Sequence, residues 1–257
     1  YLDQPRYVGY SFGYGEKVKG SVEAAQDFIT FYNGWTDLFP EMKGRELIIS
    51  GESYGGHYVP AWADAILNFN DAQSSASDKI NFAGVVIGNG CVNNTVQNTD
   101  EYVKFLHESN LIPADADPSN QGTAEIEMIK YIGYTPNYYD YRTESVSCGA
   151  CYSYNYTAWA HWFLKDEVET ALNVCGAAGD DAFAGNAGGC ISMGNFDAHD
   201  SFDYSGALGR TLDAGVPVTL YYGKTDTEVF ASASMGPMEI AGVEVESAGH
   251  MVPIDQP

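Results

Sequence analysis

The 257-residue chain sets 35 acidic against 12 basic residues, for a formal charge of −23. Such a field repels phosphate backbones and anionic membrane surfaces, which excludes nucleic acid as the expected partner. With 45% hydrophobic residues the chain can bury one large core or a core plus an insertion, yet no apolar run nears the ~20 residues of a membrane span, so no membrane insertion is expected.

The chain opens on "YLDQP" without a start methionine or signal-like segment, and is expected to be a mature piece or a fragment. Pro5 and the polar, glycine-broken "GYGEKVKGS" (13–21) read as loop. From Ser21, Ala24, Ala25, Phe28, Ile29, Tyr32, Trp35 and Phe39 recur at helical spacing until Pro40 stops the run. "ELIIS" (46–50) is a short buried strand. Residues 55–70 form a helix that tolerates Pro60 in its first turns, because a missing N–H there loses little. "DAQSSASD" (71–78) is a surface loop, and "FAGVVIG" (82–88) is a second strand.

Residues 91–215 lie between that strand and the next, "VPVTLYYG", an excursion far longer than a crossover needs. The excursion is rich in Tyr and Asn, with helical stretches at 101–110 and 158–174, and reads as a cap over the site. The expected organisation is thus a first core part at 1–90, a largely helical cap at 91–215, and a second core part at 216–257.

Gly-x-Ser-x-Gly occurs twice, at Ser11 and Ser53. A serine becomes a good nucleophile where a sharp strand-to-helix turn lifts its hydroxyl from the sheet. Ser53 has a strand before it and a helix after it, and Gly51 and Gly55 flank it where side chains would crowd the turn. Ser11 has neither neighbour and is a loop residue with an accidental motif. Downstream, Asp226 ends a strand and Gly turn, and His250 follows the strand "VEVES". Ser, then acid, then His is the chain order of an α/β-hydrolase. In that arrangement His250 takes the Ser53 proton, Asp226 fixes its tautomer, and the Tyr54 N–H serves the oxyanion. Glu228 is a nearby rival for the acid. His57 packs or caps in the helix, and His107, His161 and His199 lack a serine or metal pattern.

The five cysteines are an odd number. Cys148 and Cys151 read as a local disulfide rather than half a zinc site, since Cys175 and Cys190 offer no second close pair. Sequons at Asn93 and Asn155 agree with a secretory route, ending in a vacuole or lysosome or outside the cell.

"GESYGGHYVP", "GVVIGNG", "NYYDYR", "GVPVTLYYG" and "AGHMVPIDQP", with "YLDQP", resemble in order the acid-active serine carboxypeptidases. The resemblance implies an α/β-hydrolase fold with a mixed, mostly parallel sheet flanked by helices, no metal or cofactor, and peptide C-termini as substrate. It also implies that Glu52 helps hold the substrate carboxylate, sharing protons with a second carboxyl group so that acid pH is favoured. The family includes dimers, so a homodimer is within the expectation.

Three departures stand out. The family's Asn-Gly-Gly-Pro-Gly-Cys stretch, which supplies a second oxyanion N–H and the Asn that binds substrate, lies upstream of residues like "YLDQP". Its cysteine would be a partner for the odd one, nominally Cys190. Only 23 residues separate Asp226 from His250, close to the minimum for a parallel crossover, which would strain their alignment. Lys224 stands where the family has an acid. The alternatives are a relative that transfers acyl groups to alcohols and an impaired remnant with a binding role.

Overall fold

In chain order the elements are α1 (Ser21–Leu38), β1 (Leu47–Glu52), α2 (Gly55–Ala72), β2 (Phe82–Gly88), α3 (Asn94–Gln97), α4 (Asp100–Glu108), α5 (Gln121–Ile132), β3 (Pro136–Asn137), β4 (Asp140–Glu144), α6 (Asp166–Leu172), α7 (Ser205–Asp213), β5 (Val218–Gly223), β6 (Ala241–Val245) and α8 (Val252–Asp255). The structure is a computed structural model and describes residues 1–6, 8, 11, 16–97, 100–145, 161–162, 165–173, 200–201, 203–227 and 241–256.

The strands β1, β2, β5 and β6 pair in that order, parallel throughout. In such a sheet all four carboxyl ends open on one edge, where a ligand is expected. Side chains alternate between the two faces. Ile49, Val85, Ile87 and Val218 point to one face and join α1, α2 and α7 in the main core. Ile48 and Val243 sit at the alternate positions and are 59% and 47% exposed.

The helical period in 21–39 has a direct consequence in packing. Ala24 and Ala25 let α1 approach closely, and Phe28 stacks on Trp62 of α2 with centroids 4.3 Å apart and planes within 10°. Ala63 and Ile66 of α2 are wholly buried, and burying an isoleucine of this kind contributes about 1.5–3 kcal/mol. Phe39 closes α1 by donating its N–H to the Trp35 carbonyl, and Pro40 starts a short 3-10 turn.

A smaller core forms within the 91–215 stretch. Tyr102 and Leu106 of α4 meet Leu111, Ile112, and Ala124 and Met128 of α5. The helix expected at 101–110 is α4, ending two residues early. Asn120 and Thr123 cap α5 reciprocally, and Gly133 ends it at φ +83°, where a glycine carries no Cβ penalty. Of the helix expected at 158–174, α6 falls among the described residues. Cys148, Cys151, Cys175, Cys190, Asn155, His199 and Glu228 lie outside them.

Among the described residues no helix is long and apolar enough to cross a membrane.

Candidate active site

β1 ends on Glu52 and α2 begins at Gly55, so Ser53 and Tyr54 must reverse the chain within two residues. Ser53 does so at φ +59°, a left-handed conformation that costs a residue with a side chain about 1–3 kcal/mol. Three backbone bonds hold it there. The Ser53 N–H donates to the Gly88 carbonyl at 3.0 Å, and the Ser53 carbonyl accepts from Gly56 at 2.9 Å and Cys91 at 3.0 Å. The elbow is thereby fastened to the loop that follows β2.

The glycines divide their work differently from the expectation. A side chain on Gly51 would meet Val59 of α2, as anticipated, but one on Gly55 would point into open space. The close approach is at Gly56, where a methyl group would stand 2.5 Å from the Cys91 backbone. The reason is that the elbow's tightest neighbour is the β2–α3 loop, which lies some 35 residues further along the chain. Ser11 is a loop residue whose hydroxyl donates to the Asp3 carbonyl.

Asp226 and His250 follow β5 and β6, neighbours in the sheet, and both are at most 1% exposed. His250 Nδ1 lies 2.7 Å from Asp226 Oδ2. A carboxylate accepts only, so Nδ1 carries the proton and the neutral ring leaves Nε2 as a base. Nε2 makes no hydrogen bond among the described residues, Ser53 included. The short Asp226–His250 connection does not prevent the pair from forming.

Two supports for this pair were not anticipated from sequence. Asn89 directly follows β2 and donates Nδ2–H to the same Asp226 oxygen at 2.6 Å, while its Oδ1 accepts the Gly223 N–H at 3.3 Å. The turn joining β3 to β4 is inserted between the two loops. Tyr138 accepts from the Thr227 N–H at 2.8 Å, Tyr139 accepts the His250 N–H at 2.7 Å, and Tyr141 donates to the Thr225 carbonyl at 3.1 Å. The Tyr139 ring also stacks on the imidazole, with centroids 4.1 Å apart. Asn89 stands in "GNG" after a strand and the turn lies in "NYYDYR", so both segments stood out, but their partners are set by tertiary placement alone.

Glu52 is half-buried, and burial pushes its carboxyl pKa up. A protonated His250 works against that rise, and the charge of Asp226 adds to it. Glu52, Gly88 and Tyr221 are in register across three strands, and the Tyr221 ring occupies the space a side chain on Gly88 would need. Burial first, and then the Glu52 charge, raise the Tyr221 phenol.

The remaining candidates have local roles. His57 is 2% exposed and packs edge-on to Tyr54, with centroids 4.2 Å apart. His107 Nε2 lies 3.0 Å from the Ala116 carbonyl. His161 is exposed. Asn93 is half-buried and accepts the Val96 N–H at 3.1 Å through Oδ1. Lys224 reaches Glu244 at 3.3 Å and Glu246 at 2.7 Å on the surface. Among the described residues no cluster of three or more His, Cys, Asp or Glu is placed to hold a metal ion.

The serine carboxypeptidase family model matches residues 1–239, a span that carries Ser53 and Asp226 and ends before His250. The pheromone-processing carboxypeptidase KEX1 of Coccidioides posadasii is 29% identical over 261 residues, covering 88% of this chain and 40% of its own. The serine carboxypeptidase-like 41 protein of Arabidopsis thaliana is 42% identical over 91 residues, 35% of this chain and 19% of its own. The chain thus spans about 40% of the length of the KEX1 relatives it matches along most of its course. Among solved structures, KEX1(delta)P, a prohormone-processing carboxypeptidase from Saccharomyces cerevisiae, matches with a TM-score of 0.72. At 19% identity it covers 99% of this chain and 70% of its own, and it shares the α/β-hydrolase fold.

Proposed function

This chain belongs to the serine carboxypeptidase family, and on that premise we propose that it releases C-terminal residues from peptides at acid pH through an acyl-enzyme on Ser53. The observation that carries the reading is the Asn89–Asp226–His250 chain of buried hydrogen bonds, set just past β2, β5 and β6 of the sheet whose edge strand β1 delivers the strained Ser53.

His250 Nε2 takes the Ser53 proton as Oγ attacks the last peptide carbonyl, and the Tyr54 N–H donates to the resulting oxyanion. Asp226 steadies the imidazolium. The imidazolium then gives its proton to the leaving amine, and the C–N bond breaks. Water next attacks the acyl ester, with Nε2 taking its proton; the C–Oγ bond then breaks, the imidazolium returns the proton to Oγ, and the shortened peptide leaves with Ser53 restored. The cap reading of 91–215 gives this site a roof, and its β3–β4 turn already braces the base. The charge of −23 and the sequons at Asn93 and Asn155 support a place in the secretory pathway, in an acidic vacuole or lysosome or outside the cell.

Glu52 supplies the exopeptidase character. As a neutral acid it donates a hydrogen bond to the substrate's terminal carboxylate, and as a carboxylate it repels it. Burial raises its pKa, so the neutral form persists to higher pH than for an ordinary glutamate and is lost as pH rises through that raised value. An N-blocked dipeptide with a free carboxylate is therefore expected to show low KM in acid and a rising KM toward neutral pH. Glu52→Gln keeps a neutral donor throughout and should flatten that rise. Steady-state kinetics from pH 4 to 8 would test this, with the dipeptide amide as the comparison. Equal cleavage of acid and amide, or a KM that ignores pH in the parent chain, would contradict the reading.

A further inference from the structure

The buried Asp200 carboxylate joins the start of α1, the start of α2 and the start of α7. Its side chain is 3% exposed. Oδ1 accepts the Ser21 N–H at 2.9 Å, the Ser201 N–H at 3.1 Å and the Tyr204 hydroxyl at 2.6 Å. Oδ2 accepts the Ser21 hydroxyl at 2.6 Å and the Tyr54 hydroxyl at 2.8 Å, and lies 3.7 Å from His57 Nδ1. Gly20 has no side chain to cap α1, so Asp200 serves an orphan N–H and places negative charge at the positive end of the helix. Burial alone would raise its pKa, but the bonds from Ser21, Tyr204 and Tyr54 outweigh it and hold the pKa below the usual value.

Of these partners Tyr54 is the one with a consequence for chemistry, because it directly follows Ser53. Its ring is held edge-on by His57, its hydroxyl by Asp200, and its carbonyl by the His57 N–H at 2.9 Å. A tyrosine fixed at both ring tip and carbonyl has little freedom to rotate its own N–H. We propose that Asp200 is a positioning residue for the oxyanion donor, aiming the Tyr54 N–H by anchoring the Tyr54 ring. The inference rests on the peptidase reading above.

The test is a kinetic cycle on peptide hydrolysis with Tyr54→Phe, Asp200→Asn and the double variant, each corrected for the folded fraction by circular dichroism. Tyr54→Phe keeps the ring and deletes only the anchor. It is expected to lower kcat roughly 10-fold, part of the ~10²–10³ that losing a donor outright costs, with KM unchanged within about twofold. Asp200→Asn should lower kcat at least as much, and adding Tyr54→Phe to it should cost little more, because the two act through one bond. A Tyr54→Phe variant with parental kcat would overturn the inference while leaving the peptidase reading intact. So would fully additive losses, or an Asp200→Asn variant that loses only thermal stability. A parent chain that hydrolyses no peptide at all overturns both.

Discussion

Ser53→Gly is expected to abolish peptide hydrolysis and to raise thermal stability at once. Deleting the nucleophile of a serine hydrolase lowers kcat on the order of 10⁶-fold. The same position holds φ at +59°, which glycine adopts without the Cβ penalty that serine bears. Against that relief stands glycine's larger loss of freedom on folding, so the net gain should be about 1 kcal/mol. In a domain of this size that amounts to roughly 2–4 °C in Tm. Ser53→Ala is the control: equally inactive, but with its Cβ retained and no gain in Tm. Turnover assays beside thermal unfolding read both effects. A Ser53→Gly protein that melts below Ser53→Ala would mean that the elbow stores no strain.

Asp226→Asn should reduce kcat about 10⁴-fold with the fold preserved. The carboxylate oxygen Oδ2 accepts from two donors, His250 Nδ1 and Asn89 Nδ2. An asparagine has one acceptor oxygen and a donating NH₂, and whichever end takes the place of Oδ2, both donors meet a weaker or wrong partner. Where the NH₂ faces the ring, Nδ1 must accept, the proton moves to Nε2, and the base for Ser53 is lost; that tautomer error is worth about 10⁴ in a comparable triad. Kinetics of variant and parent at the same pH, with circular dichroism to verify folding, would check it. Asn89→Ala should be milder, because the His250–Asp226 bond survives it. An Asp226→Asn enzyme within tenfold of the parent would place the acid elsewhere.

Much of this candidate site is legible in the sequence. The strand–serine–helix sequence around Ser53, the strand ahead of Asp226 and the order Ser, Asp, His each rest on local patterning, and local patterning survives folding. What sequence could not supply was contact between distant segments. Asn89 meets Asp226 only because β2 and β5 are neighbours in the sheet, and nothing in "GNG" names that partner. Tyr139 reads as one tyrosine among nineteen until the β3–β4 turn lays it on His250. Asp200 sits outside any periodic segment, so neither helical nor strand spacing marks it. The misassigned glycine has the same origin: Gly55 looked crowded by motif, whereas Gly56 is crowded by a loop that the motif does not contain.

On the proposed mechanism Ser53 is a nucleophile activated by His250, although no hydrogen bond joins them among the described residues. Catalytic hydrogen bonds in ligand-free sites commonly tighten only when substrate arrives. The most direct measurement is labelling with a fluorophosphonate probe at pH 5 and pH 7, followed by peptide mass spectrometry to locate the adduct. The expected result is an adduct on Ser53 and none on Ser11, lost in His250→Ala and strongly reduced in Asp226→Asn. A folded chain that takes no label, or labelling of Ser53 that persists unchanged in His250→Ala, would contradict it.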